Sequence, residues 1–186
     1  MNQPPNLFAL RLATMDDLAV LRELVADSVW ILQAKDYTDA QREAAIRIVY
    51  GVDTQLIRDG TYYAVDQDRQ TVACGGWSRR RTLFGGDQHG PSREPEVLDP
   101  ANEPAKIRAF FVRPGWERRG LGSALVRACE RAALAEGFRA IEMASTLTGV
   151  SLYAVHGYSE MERLDVPLEH GLTLPVIRMA KTFTSI

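Results

Sequence analysis

A chain of 186 residues that is 46% hydrophobic and 25% charged fits one domain around one sizeable core, and that balance excludes disorder as the default state. Its net charge of −2 argues against a protein that grips nucleic acid by neutralising phosphates. No apolar run approaches a membrane span and no secretory signal opens the chain. Cys74 and Cys129, with three scattered histidines, make neither a disulfide framework nor a metal site. The expectation is one cytoplasmic domain over residues 1–186, with no metal, membrane or nucleic-acid partner.

The first strand is predicted over Leu7 to Leu12. Thr14-Met-Asp-Asp17 then reads as a capping box ahead of Leu18, Leu21, Leu24 and Val25 at helical spacing. A second cap, Thr38-Asp-Ala-Gln41, opens a helix whose stripe is Ala44, Ala45, Ile48 and Val49. Asp53 is placed to cap a short turn through Leu56 and Ile57. Thr61 to Val65 and Thr71 to Ser78 read as a hairpin around the polar turn Asp66 to Gln70. From Thr82 to Glu103 the pattern is broken by Gly85, Gly86, Pro91, Pro95 and Pro100. A loop this long in a small domain is expected to lie over an active site.

Ile107 to Val112 is a strongly apolar strand that stops at Pro114. Gly120 to Glu136 is the strongest helix, with Leu121, Ala124, Leu125, Ala128, Cys129 and Ala132 on one stripe and Gly137 as its C-terminal stop. Phe138 to Ala144 is predicted as a strand and Gly149 to Val155 as a short helix closed by Gly157. Tyr158 to Val166 and Leu172 to Ala180 are predicted as two last strands. The order is that of a single α/β domain.

The block that carries chemistry is Val112-Arg-Pro-Gly-Trp-Glu-Arg-Arg-Gly120-Leu-Gly122-Ser123. A buried strand runs through a glycine turn into a helix N-terminus. Gly120 and Gly122 let main-chain amides approach a ligand, and the helix start adds unpaired N–H groups and partial positive charge. That is an anion cradle suited to phosphate or pyrophosphate, with Arg118 and Arg119 at its mouth. A P-loop is excluded, because no Gly-Lys-Ser/Thr triplet occurs. A dinucleotide fingerprint is excluded too, because Leu125 stands where its third glycine belongs.

The block resembles motif A of the GNAT superfamily of N-acetyltransferases, in which a strand ending V-x-P precedes Q/R-x-x-G-x-G/A. Leu152-Tyr153-Ala-Val-His-Gly157-Tyr158 resembles that family's late Y-x-x-x-G-F/Y segment. The element order agrees over essentially the whole chain, and the likeness is closest to bacterial members. Glu117 departs from the usual Gln or Arg, and Thr146 stands where an Asn is common. The resemblance implies a mixed, mostly antiparallel sheet of about seven strands flanked by about four helices. It implies acetyl transfer from acetyl-coenzyme A to a small-molecule or peptide amine, by direct attack in a ternary complex. It places the pantetheine arm along Phe111, Val112 and Arg113. The pyrophosphate falls on Arg118, Arg119, Gly120, Leu121, Gly122 and Ser123, and Tyr153 faces the departing thiolate. A homodimer is left open.

A general base is not evident. Glu142 is the candidate on the next strand, alternating with Ile141 and Met143, and a solvated strand carboxylate is the other reading. Glu103, Asp87, His89 and a water relay are further options. Trp30, Tyr37, Trp77 and Phe84 could line an acceptor pocket, and Arg79-Arg80-Arg81 could meet an acceptor anion. The alternative function is a coenzyme-A-binding regulatory module with the same fold and little or no turnover.

Overall fold

A computed structural model describes residues 8–81 and 96–183. Seven strands form one sheet in the order β1-β2-β3-β4-β5-β7-β6. They are β1 (Ala9–Leu12), β2 (Tyr62–Gln67), β3 (Gln70–Ser78), β4 (Ala105–Val112), β5 (Ala140–Thr146), β6 (Ser159–Pro167) and β7 (Thr173–Thr182). Every neighbouring pair is antiparallel except β4 with β5. Five α-helices lie among the described residues: α1 (Leu18–Asp27), α2 (Asp39–Ile48), α3 (Thr54–Arg58), α4 (Leu121–Ala135) and α5 (Val150–Val155). This is one helix more than the sequence reading, because the turn capped by Asp53 closes into α3. Asp53 Oδ1 accepts the Leu56 amide at 3.3 Å, the N-cap bond that starts a helix.

Both predicted capping boxes form. Asp17 Oδ2 accepts the Thr14 amide at 2.7 Å, and Gln41 Oε1 accepts the Thr38 amide at 2.9 Å. The chain leaving α1 does something the periodicity does not announce. Ser28–Leu32 widens into a π-turn before α2 begins. Such widening often accompanies a functional site, because it turns side chains out of helical register.

The helices cover both faces of the sheet. Leu21, Leu24, Val25, Ala44, Ala45 and Leu56 from α1 to α3 pack on Tyr62, Cys74, Phe111 and Val176. Val126, Cys129 and Ala133 of α4 pack on the other face with Trp77, Ile107, Met143 and Met179. Each fully buried leucine in such a layer contributes about 1.5–3 kcal/mol. Two helical layers around one sheet make both faces dry, which is why β3 is buried along nearly its whole length.

Two irregularities break the centre of the sheet. β4 pairs with β5 only through Ala105–Ile141 and Lys106–Glu142, and beyond that point no further β4–β5 pairing exists. β4 stays bound to β3 and β5 to β7, so the sheet opens as a wedge between its two halves. The second irregularity is a bulge in β4. The register with β3 jumps between Cys74–Phe111 and Gly76–Arg108, and Ala109 takes a positive φ of 56°. Gly75-Gly76 in β3 makes room for it. A Cβ on Gly75 would stand 2.2 Å from Phe110 Cδ1, and one on Gly76 would stand 2.5 Å from the Thr61 carbonyl oxygen.

Candidate active site

The wedge between β4 and β5 is a cleft of about 1040 Å³. Its walls are the open edge of β4, the start of α4, the α5 segment, and the π-turn with the chain after α2. The volume sits at the upper end of small-molecule sites and fits a large ligand together with a second small one.

At one end the turn predicted as an anion cradle is built as the sequence requires. Arg113-Pro114-Gly115-Trp116 is a β-turn. The Trp116 amide donates to the Arg113 carbonyl at 3.1 Å, with Gly115 at φ 84° in the third position. Arg118 and Gly120 then take positive φ values of 61° and 84°, and Gly120 caps α4 in the left-handed region. The first intrahelical amide is that of Ala124, which donates to the Gly120 carbonyl at 3.0 Å. The amides of Leu121, Gly122 and Ser123 therefore precede any intrahelical acceptor and open at the cleft, which those residues line. Motif spacing assigns both glycines one purpose, and the structure divides it. Gly120 serves the left-handed φ. Gly122 lines the cleft and also lies against α5: a Cβ there would stand 2.9 Å from Leu152 Cδ2.

Of the predicted donor-site residues, Phe111, Val112, Arg118, Gly120, Leu121, Gly122 and Ser123 line the cleft. Arg113 and Arg119 are not among its lining residues. The Arg113 amide is held by the Val72 carbonyl at 2.8 Å, and its guanidinium turns to Glu23 and Asp27 of α1. Arg119 stacks over Trp116 at 4.5 Å and donates to the Gly115 carbonyl at 3.1 Å, bracing the turn from outside.

Tyr153 lines the cleft and is 5% exposed. Its ring meets Tyr158 edge-on at 5.7 Å and Phe110 at 6.1 Å. Burial pushes its phenol well above the ordinary value, with Cys129 adding in the same direction. The group is therefore neutral at ordinary pH and carries a proton to give. Gly149, below it, leaves the space that Ser145 Oγ and the Tyr153 ring occupy. Thr146, at the position where an Asn is common in the family, accepts the Gly149 amide at 3.2 Å and caps the turn into α5. Near the cradle, His156 Nε2 lies 2.9 Å from Ser123 Oγ, with the imidazole pKa lowered mainly by burial.

Glu142 stands elsewhere. It is 8% exposed and ion-paired with Lys106, and it accepts from Arg178 Nη1 at 3.4 Å. It is the last residue of β5 paired to β4, at the vertex of the wedge, and it is not among the cleft's lining residues. Two cations hold a carboxylate that strand alternation left undecided. Trp77 is buried against Phe138 on the α4 face, and Tyr37 donates to the Pro175 carbonyl at 2.8 Å; neither lines the cleft. Trp30 is half-exposed under the Arg42 guanidinium. Arg79, Arg80 and Arg81 are matched by Glu136, Asp59, and Glu96 with Glu103. Phe84, Asp87, His89 and most of the predicted loop lie outside the described residues. Among the described residues no three His, Cys, Asp or Glu gather as metal ligands, and no helix is long and apolar enough to cross a membrane.

Sequence reasoning missed Gln33, Tyr50 and Trp116, which line the cleft, and the bulge at Ala109. The one signal for the bulge was the glycine pair inside a strand. Nothing local marks Gln33 or Tyr50, because the π-turn and the return of α2 decide where they point.

Solved structures share this architecture. A GCN5-related N-acetyltransferase from Rhodopseudomonas palustris aligns over 98% of this chain and 100% of its own, at 20% identity and a TM-score of 0.71. The PaiA N-acetyltransferase from Thermoplasma acidophilum, solved in complex with coenzyme A, aligns over 95% and 99% at 12% identity and 0.64. The yncA protein of Salmonella typhimurium, solved with its cofactor acetyl-CoA, aligns over 97% and 96% at 15% identity and 0.62. At these identities the likeness is one of fold. No curated protein matches the sequence. The model of the acetyltransferase (GNAT) family matches residues 21–159, from within α1 to the first residue of β6, and so takes in the wedge, the cradle and Tyr153 together: the chain belongs to that family.

Proposed function

We propose that the protein is an N-acetyltransferase that moves the acetyl group of acetyl-coenzyme A to an amine by direct attack in a ternary complex. The observation that carries this reading is the wedge itself. One cleft joins an open strand edge, a helix start rich in free amides, and a buried neutral phenol. The amides of Leu121 to Ser123 suit the pyrophosphate, with Arg118 beside them. The unpaired edge of β4 around Phe111 and Val112 suits the amide-bearing pantetheine arm, as a strand suits another strand. Two complexes among the similar folds hold coenzyme A or acetyl-CoA, which supports the same assignment.

In the transfer the amine lone pair forms a C–N bond to the thioester carbonyl. Polar groups on the β4 edge stabilise the oxyanion, and the C–S bond breaks as it collapses. Tyr153 gives its proton to the thiolate. The amine proton leaves to water in the cleft, where Asp36 and Glu117 are the carboxylates among the described lining residues. Asp36 accepts from Thr148 at 2.5 Å, and Glu117 belongs to the donor turn. Arg113 and Arg119 brace the cradle, and Glu142 fastens the vertex of the wedge. Two buried free thiols, Cys74 and Cys129, accord with a reducing cytoplasmic setting.

Thiol release from acetyl-coenzyme A over a panel of amines tests this function. Amine-dependent release that falls in Tyr153→Phe supports it. Coenzyme A binding with no turnover of any amine would instead identify a binding module.

A further inference from the structure

The start of α4 and the end of α5 meet beside the cradle. Gly122 lies against Leu152, and one turn further along α5 the imidazole of His156 reaches Ser123. His156 Nε2 and Ser123 Oγ are 2.9 Å apart, a hydrogen-bond distance. The His156 backbone is fixed, because it caps α5 and its amide donates to the Tyr153 carbonyl at 3.0 Å. Ser123 is the third residue of α4, and its amide precedes any intrahelical acceptor. Helical side chains lean toward the helix N-terminus. The Ser123 hydroxyl therefore stands on the side of the free amides, at the cleft that Ser123 lines.

That contact decides where one proton points. A hydroxyl has a single hydrogen, and an ionised phosphate offers only acceptors. When Nε2 is bare, Ser123 Oγ donates to it, and the oxygen turns its lone pairs toward the anion. When Nε2 carries a hydrogen, it donates to Ser123 Oγ and frees the hydroxyl hydrogen for a charge-assisted bond to the phosphate. A phosphate in the cradle thus selects a proton on Nε2. The charges around the ring leave that selection to the ligand. Burial, with Arg127 of α4 and Lys181 of β7, lowers the imidazole pKa. Glu130 of α4 acts the other way, but it is itself paired with Lys181 at 2.8 Å. The turn ahead of α4 adds Glu117 and Arg118, of opposite sign. Negative charge arriving at the cradle favours the imidazolium against those causes.

We propose that His156 is a positioning residue for the donor: it donates from Nε2 to Ser123 Oγ, the Ser123 hydroxyl donates to the pyrophosphate, and binding is thereby linked to a proton on the imidazole. This rests on assigning the cradle to the donor's pyrophosphate and adds to it a side-chain grip and a pH response. The probe is dephospho-coenzyme A, whose pyrophosphate stays ionised between pH 6 and pH 8, whereas the 3′-phosphate of coenzyme A titrates near that range. Calorimetry gives its affinity at both pH values for the wild type, His156→Gln and Ser123→Ala, and NMR follows the His156 imidazole. The probe should raise the His156 pKa by about half a unit to one unit, and wild-type affinity should rise about two- to fivefold from pH 8 to pH 6. His156→Gln keeps a donor but does not titrate, so its affinity should change by less than about twofold between the two. Ser123→Ala should bind about tenfold more weakly at pH 6 and lose the pH response. If a variant fails to fold, the pKa change in the wild type carries the test. A His156 pKa that the bound probe leaves unmoved, full affinity in Ser123→Ala, or a pH response that survives in His156→Gln overturns the inference and leaves the cradle with the donor. Failure of both dephospho-coenzyme A and coenzyme A to bind overturns the cradle's assignment as well.

Discussion

Replacing Gly122 by alanine separates two reasons for the second glycine of the turn. If the glycine exists for the anion, a Cβ harms ligand binding. If it exists for helix packing, a Cβ harms α5. The geometry favours packing, since the added carbon would stand 2.9 Å from Leu152 Cδ2 and 3.3 Å from Cδ1. Overpacking of this kind costs about 1–3 kcal/mol, and the lower end applies because Leu152 is a half-buried, flexible side chain. Alanine in a helix gains up to about 1 kcal/mol over glycine, so the single variant can look nearly neutral. A double-mutant cycle with Leu152→Ala cancels that gain. Alanine at 122 should be about 1–2 kcal/mol better tolerated when Leu152 is truncated, a coupling well above the roughly 0.3–0.5 kcal/mol of independent sites. Urea unfolding of the four proteins gives the coupling, and calorimetry gives coenzyme A affinity, expected within about threefold of the wild type for Gly122→Ala. Additive stabilities together with a tenfold loss of affinity that Leu152→Ala does not restore would refute the packing role and return Gly122 to the ligand.

Tyr153→Phe keeps the ring contacts with Tyr158 and Phe110 and removes the proton, so kcat should fall about 10²–10⁴-fold with KM little changed; full activity would assign the residue to packing. Glu142→Ala leaves Lys106 buried without its partner and should cost about 3–5 kcal/mol in urea unfolding, while Lys106→Met with Glu142→Leu recovers most of it. A folded Glu142→Gln protein should keep kcat within a few fold, and collapse of kcat at unchanged stability would restore Glu142 as a base. The side-chain hydrogen bond from Arg11 lowers the Asp17 pKa from 3.8 to about 2. A carboxylate lowered on folding adds stability above pH 3.8 that is lost as pH falls toward 2. The stability gap between the wild type and Asp17→Asn should therefore be full at pH 6 and shrink below pH 4 in denaturant melts, and a gap independent of pH would refute the pair's role.

The sequence by itself determined what is local. Thr14, Thr38 and Asp53 set helix starts through bonds that span three residues. Arg113-Pro114-Gly115 and Gly120 set the turn that aims α4, because Pro fixes one φ and glycine supplies two of the three positive ones, Arg118 taking the third. The alternation of strands and amphipathic helices, with the Val112 to Ser123 block and the late tyrosine, was enough to place the chain among the GNAT proteins. Tertiary structure decided whatever depends on partners distant in the chain. Glu142 looked like a candidate base on its strand, but Lys106, 36 residues away, and Arg178 claim it at the vertex. Gly122 reads as a phosphate glycine in the sequence, and only the fold brings Leu152 within reach of its missing Cβ. Gln33 carried no signal at all, since the cleft that it lines exists only where β4 and β5 part. Local rules act through the backbone of neighbouring residues, whereas charge pairing, close approach and cavity lining are set by which segments the fold brings together.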